Sequence, residues 1–229
     1  MPAKTGGLAA ALAPMRALAV DYDRTLTDPA LVLWPATVEA LVEARKKGLA
    51  IIVVSGRDLA FLEHALGRAA SAFVAENGAV VSAPGGSVEI EPTPAGLREA
   101  LAAAGIEVRW HASMGSLDAE HEQAARAAAA EGGIEATFER NRESLMALPP
   151  GVGKARGLLR ALDLLKIDPS EVFAIGDGEN DVSLLETAAV GIAVANAVPE
   201  LAAAAEHVTR GEGGKGVAEV LAAWAASRS

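Results

Sequence analysis

The sequence predicts an α/β protein, a doubly wound parallel sheet interrupted by a small α+β insert. Three observations carry this. Short apolar runs of strand length alternate with helical stretches, acidic clusters follow directly on two of those runs, and the middle of the chain changes to two-residue alternation with Gly and Pro punctuation. The runs at 17–20, 49–54, 72–75, 172–175 and 191–194 are apolar throughout, as strands buried on both faces are. Between the first two, Val38, Leu41, Val42 and Arg45 fall at helical spacing over 35–47 before a Gly48 stop. A helix is expected at 59–66, and a longer one at 152–165 with Leu158, Leu159, Leu162 and Leu165 on one face.

From 81 to 148 the pattern differs. Val88 and Ile90, then Ile106, Val108 and Trp110, then Ile134, Ala136 and Phe138 alternate as in half-exposed antiparallel strands. Helices are expected at 96–104 and 118–131, with turns at Pro84-Gly85-Gly86 and Gly132-Gly133. The expected division is therefore a core of residues 1–82 and 150–229 around an insert of 83–149, with hinges near 82–86 and 148–151. No repeat is evident, and the Ala-rich stretches at 124–130 and 201–205 read as helix formers.

Composition narrows the function. The 229 residues include no Cys, which removes thiol nucleophiles, Cys-based zinc sites and iron–sulfur ligation. Thirty acidic against twenty basic residues give a net charge of −10, and aromatics are 3%, so a nucleic-acid partner is not expected. No apolar run approaches the roughly 20 residues that span a bilayer. Lys4 and the apolar stretch at 8–13 imitate a secretory leader, but that stretch is short and Gly6-Gly7 separate it from Lys4, so a cytoplasmic protein without a membrane partner is expected.

The first apolar run leads straight into Asp21-Tyr22-Asp23-Arg24-Thr25, and the run at 172–175 into Gly176-Asp177-Gly178-Glu179-Asn180-Asp181. Open α/β sheets bind ligands at the carboxyl ends of their strands, so both clusters face one crevice. Such an oxygen-rich pocket suits a hard cation such as magnesium and a phosphate group. Ser55-Gly56-Arg57, after the second strand, offers a hydroxyl and backbone N–H groups to an anion, and Lys154 a fixed cation. A lone D-x-D would read as a solvated strand end; Ser55, Lys154 and Asp177 give it catalytic company.

In order and spacing these elements resemble the haloacid dehalogenase-like hydrolase superfamily, in particular its subfamily IIB phosphatases with a Rossmann-like core and an inserted α+β cap. The family pattern is D-x-D-x-T, a Ser or Thr, a Lys, and G-D-x-x-N-D; here Asp21, Asp23, Thr25, Ser55, Lys154, Gly176, Asp177, Asn180 and Asp181 match it. The Glu76-Asn77-Gly78-Ala79 turn and the stretch Ala195-Asn196-Ala197-Val198-Pro199 also resemble this subgroup. The resemblance implies a Mg2+-dependent phosphatase in which Asp21 attacks phosphorus and Asp23 serves as acid and base. It implies metal ligation by Asp21, the carbonyl of Asp23, and Asp177, with Asp181 a further ligand or a partner of Lys154. Thr25, Ser55, Gly56, Arg57, Asn77 and Asn180 form the implied phosphate-binding set. The implied partner is a small phosphorylated metabolite, phosphoglycolate or a sugar phosphate, and the chain a monomer or homodimer. A phosphomannomutase-like phosphotransferase and a silent phosphometabolite-binding module are the alternatives.

Arg24 departs from the Gly that the family often places there, and an exposed arginine is the simpler expectation. The cap residues expected to choose the substrate are Arg109, His111, Ser116, Arg140, Asn141 and Arg142. Other motifs fail on position. A calcium loop starting at Asp21 would need Gly at Leu26, and a P-loop ending at Lys154 would need Gly at Leu148. Gly211 to Gly216 fits G-x-G-x-x-G but reads as a loop before the terminal helix, and His64, His111, His121 and His207 show no metal-ligand spacing.

Overall fold

A computed structural model describes residues 7–84 and 87–228. The chain begins with α1 (Leu8–Leu12) and runs through β1 (Ala17–Asp21), α2 (Pro35–Lys46), β2 (Ala50–Val54), α3 (Leu59–Leu66), β3 (Ala72–Ala75), β4 (Val80–Ala83) and β5 (Ser87–Ile90). A second group follows: α4 (Leu97–Ala103), β6 (Arg109–Trp110), β7 (Gly115–Asp118), α5 (Glu122–Glu131), β8 (Thr137–Asn141) and β9 (Ser144–Leu148). The chain returns through α6 (Lys154–Leu165), β10 (Val172–Gly176), α7 (Val182–Thr187), β11 (Val190–Ala193), α8 (Pro199–Ala204), β12 (His207–Val208) and α9 (Gly213–Ala226).

Among the described residues the main sheet has the order β12-β11-β10-β1-β2-β3-β4-β5, parallel from β12 to β3. Side chains alternate across each central strand, so one strand feeds two cores. Leu18 and Val20 of β1, Ile51 and Val53 of β2, and Phe173 and Ile175 of β10 pack with α2, α3 and α9. Ala17, Ala19, Ile52, Val54, Val172 and Ala174 pack with α6, α7 and α8 on the opposite face. From β1 the chain winds outward through β2 and β3 with helices on the first face; from β10 it winds the other way through β11 with helices on the second. The switch point therefore lies between β1 and β10, where two strand ends part and leave a crevice.

The second sheet has the order β6-β7-β9-β8 and is antiparallel. Leu97 and Leu101 of α4 and Ala125 and Ala129 of α5 cover one face of it, packing on Leu117, Phe138, Leu145 and Ala147. On the other face Met114, Met146 and Leu148 pack with Ala79 and Val152 of the core.

Several expectations are corrected. Val88 and Ile90, read as part of the insert, belong to β5 at the edge of the main sheet, where β4 and β5 form an antiparallel hairpin. An edge strand and an insert strand are both half exposed and share the same alternation. The crossing expected at 82–86 thus falls between β4 and β5 and not between the two sheets; Gly85 and Gly86, like Lys4, lie outside the described residues. Asp118 ends β7, and α5 begins at Glu122 after a 3-10 turn over Ala119–His121. The alternation over Ile106, Val108 and Trp110 yields only the short strand β6. The Gly211 to Gly216 segment is not wholly loop, because α9 starts at Gly213. Gly213 has φ +50, and a Cβ there would strike the carbonyl of Thr27, so glycine lets α9 press onto the loop after β1. Among the described residues no helix is long and apolar enough to cross a membrane.

Candidate active site

Asp21 closes β1, and the parallel register of Val20 with Ile175 brings it beside the end of β10. The chain then folds back sharply. The Leu26 and Thr27 N–H groups donate to the Tyr22 carbonyl at 2.9 and 3.0 Å, and the Arg24 N–H donates to Thr27 Oγ1 at 2.7 Å. Arg24 takes φ +61 in this turn, the region that favours glycine. Asn196 supports the turn, donating to the Arg24 carbonyl at 2.9 Å and accepting from the Gly213 N–H at 2.7 Å.

Asp21, Asp177 and Asp181 are all buried and bring a carboxylate oxygen apiece to within 4.8 Å of one another. Lys154, 1% exposed at the start of α6, donates to Asp21 Oδ1 at 2.7 Å and to Asp181 Oδ1 at 2.6 Å. Asp181 Oδ2 accepts from the Asp177 and Gly178 N–H groups, both at 3.0 Å, so both of its oxygens are committed. Burial pushes the Asp21 carboxyl well above the usual range; Lys154 opposes this, and Asp181 and Asp177 add to it. Burial likewise raises Asp177. Burial works against the Lys154 ammonium, yet Asp181 and Asp21 outweigh it and hold its pKa above the ordinary lysine range. Three buried carboxylates face two cations, Lys154 on Asp21 and Asp181 and Arg142 on Asp177, and as a set of clustered hard oxygen donors they fit a divalent cation such as magnesium. Asp23 stands apart from this cluster. Its carboxylate is gripped at both oxygens by Arg57, Nε to Oδ2 at 2.9 Å and NH2 to Oδ1 at 2.7 Å.

Ser55 is buried beyond β2, with its hydroxyl accepting from the Arg57 N–H at 3.2 Å. Thr25 donates to Asp177 Oδ1 at 3.3 Å. Gly56 lies against Asn77, whose Oδ1 would be 3.5 Å from an added Cβ. Asn77 accepts from Asn180 Nδ2 at 3.3 Å and donates to Glu139 Oε2 at 3.2 Å, joining the core to the second sheet. Asn180 Oδ1 is buried without a partner.

Glu139 reaches this network from β8. Burial pushes its carboxyl up to about 7, with Lys154 and Asn77 opposing and Asp181 adding. Between about 4.5 and 7 the folded protein keeps a proton that the unfolded chain has released, so stability falls as pH rises through that window. Glu139→Gln is expected to flatten this dependence and to gain about 3 kcal/mol on wild type between pH 4.5 and pH 8. Urea unfolding at both pH values checks it; an equal difference at each sinks the account.

A cavity of about 410 Å³ is lined by Asp23, Arg24, Arg57, Arg109 and Arg142 among others, and Arg142, through its contact with Asp177, joins it to the carboxylate cluster, whose own members do not line it. His111, Ser116 and Asn141 also face it, whereas Arg140 does not: its Nε donates to the Arg142 carbonyl at 3.1 Å. Arg24, expected to be exposed, thus sits on the cavity wall. A larger space of about 480 Å³ between β5 and α6 holds none of the catalytic candidates. Asp118, Glu120 and His121 also approach one another, at an exposed place on the second sheet, a grouping that His spacing alone did not show.

Sequence reasoning named Glu76 within the turn that resembles the subgroup but gave its side chain no role. It is 2% exposed, has φ +49, and accepts from the N–H groups of Ala112, Ser113 and Met114 at 3.2, 2.8 and 3.0 Å. This carboxylate ties the turn between β6 and β7, which carries His111, to the core. Its sequence signal was a glutamate closing an apolar run before Asn-Gly, in a turn shared with the subgroup. Gly78 completes the turn at φ +102, where a Cβ would strike the Gly153 carbonyl beside Lys154.

The chain belongs to the haloacid dehalogenase-like hydrolase family, whose profile matches residues 18–93 and 110–221. It is a phosphatase of that family. A phosphoglycolate phosphatase of Methanothermobacter thermautotrophicus is 32% identical over 220 residues, covering 90% of this chain and 97% of that protein. The solved structure of Thermoplasma acidophilum 0175 superposes with a TM-score of 0.80 at 21% identity, over 92% of this chain and 98% of that one. A subclass IIB sugar phosphatase of the superfamily superposes at 0.72 with 22% identity, over 85% and 93%. The last two show the shared fold.

Proposed function

We propose that the protein is a magnesium-dependent phosphomonoesterase that carries the phosphoryl group on Asp21, with a small phosphorylated acid such as 2-phosphoglycolate as substrate. The observation that carries this is Lys154 bridging Asp21 and Asp181 inside a buried carboxylate cluster, next to a cavity walled by arginines. Asp21, Asp177 and the Asp23 carbonyl would hold the ion, which when bound offsets charge on the carboxylates and the phosphoryl oxygens.

Lys154 takes Asp21 Oδ1, which leaves Oδ2 to attack phosphorus. As the Asp21–phosphorus bond forms, the phosphorus–ester oxygen bond breaks, and Asp23, released from Arg57 and having first taken up a proton from solvent, passes that proton to the leaving alkoxide. Asp23 then takes a proton from water as that water attacks the acyl phosphate, releasing inorganic phosphate and restoring Asp21. Ser55, the Gly56 N–H and the freed Arg57 face the phosphoryl oxygens, so most of the barrier is lowered by charge placement. Arg24, Arg109 and Arg142 favour a leaving group with its own negative charge, which suits a phosphorylated acid better than a neutral sugar. The name of the Methanothermobacter relative supports the same substrate.

The test is inorganic phosphate release from 2-phosphoglycolate, sugar phosphates and nucleotides, in Mg2+ and in EDTA. Release should require Mg2+ and show its highest kcat/KM with the phosphorylated acid. Equal release in EDTA, or silence across the panel, overturns the mechanism; preference for a sugar phosphate overturns the substrate assignment alone.

A further inference from the structure

Arg142 occupies the two-residue turn between β8 and β9, at φ +54. Its backbone N–H donates to Glu179 Oε2 at 3.0 Å, so the main chain is tethered to the loop that follows β10. Its side chain, 28% exposed, reaches into that loop: NH2 donates to Asp177 Oδ2 at 2.6 Å. The other Asp177 oxygen accepts from Thr25. The guanidinium therefore covers one of the two Asp177 oxygens at short range, while the other carries only the longer Thr25 contact. The contact is incomplete, because Nε of Arg142 is buried without a partner among the described residues, where a full arginine–carboxylate fork would engage two N–H groups. The same side chain lines the cavity that holds Asp23 and Arg109, so an anion there offers it a second place to bind.

We propose that Arg142 holds Asp177 in the metal-free protein, yields that oxygen when a divalent cation binds, and turns into the cavity to meet the substrate anion. A guanidinium and a divalent ion on one carboxylate oxygen repel each other strongly in a buried site, so the two occupy it alternately. An anion that draws Arg142 away thereby tightens cation binding, and by linkage the cation tightens anion binding equally. The inference rests on Asp177 being a cation ligand in the function proposed above.

Calorimetric titration of the purified protein with Mg2+ alone, and again with inorganic phosphate present, separates the two ideas without any assay of turnover. Arg142→Met keeps the apolar stem and removes the charge; it should bind Mg2+ about tenfold more tightly than wild type, and phosphate should tighten the metal by a smaller factor than in wild type, leaving only the direct attraction between ion and phosphate. Arg142→Lys, which keeps a charge, should stay within about threefold of wild-type affinity and retain part of the phosphate effect. Unchanged or weaker Mg2+ binding in Arg142→Met overturns the proposal, as does equal tightening in the Met and Lys variants, which would point to shape rather than charge. Asp177→Asn serves as the control for the underlying reading. If it binds Mg2+ as wild type does, the cation assignment fails; if it loses Mg2+ while Arg142→Met shows no gain, only the role of Arg142 fails.

Discussion

Asp21→Asn is expected to lower phosphate release by at least about 10⁴-fold while the protein stays folded. The amide has nearly the volume of the carboxylate and can still accept from Lys154, so the packing around β1 is retained. It cannot supply the electron pair that forms the acyl phosphate. Removing one of three neighbouring buried carboxylates also relieves repulsion, because Asp181 and Asp177 both push the Asp21 pKa upward. The variant should therefore melt no lower than wild type. Phosphate release and thermal unfolding, measured on the same preparation, check both halves. Activity above about 1% of wild type would remove Asp21 as the nucleophile, and an unfolded variant would assign it a structural role instead.

Lys154→Met has the second large effect, and it falls on stability as well as on rate. Among the described residues Lys154 is the single cation in contact with Asp21 and Asp181, and both contacts are buried. Removing one partner of a buried charge pair typically costs about 3–5 kcal/mol, because the remaining charges are left uncompensated. The sign with pH follows from that. Without Lys154, burial raises the Asp21 carboxyl further, so the folded state binds protons that the unfolded chain has already released, and stability falls as pH rises above the ordinary carboxylate range. Denaturant unfolding should show a loss of several kcal/mol near pH 8 that shrinks near pH 5, together with loss of turnover. A uniform loss at both pH values would mean that the variant suffers from packing and not from charge.

How far these features were legible before the structure differs from element to element. β1, β2, β3 and β10 were readable because a strand buried on both faces must be apolar at every position. α3 was readable at 59–66 as the sequence drew it, and the structure adds its cap, the Asp58 side chain accepting from the Phe61 N–H at 2.8 Å. β5 was misplaced because two-residue alternation records half exposure and not which sheet supplies the partner. The start of α5 was drawn too early because Asp118 is an acceptable helix start in isolation, while its pairing with Ser144 makes it the end of β7.

The same division runs through the site. Residue type and local order, which are properties of the chain alone, identify Asp21, Asp23, Ser55, Lys154, Asp177 and Asp181 as candidates and set the strand ends that carry them. Their partnerships belong to the tertiary structure, because each joins residues far apart in the chain: Lys154 between Asp21 and Asp181, Arg57 on Asp23, Arg142 on Asp177, and Glu76 on the turn at 112–114. Charge, hydrogen-bonding capacity and hydrophobic period can be read one residue at a time, so the sequence by itself determined the α/β class and the chemistry available at the crevice. Which oxygens are free, which are covered and which carboxyls are pushed toward protonation depends on distances and desolvation that exist only once the two sheets have met.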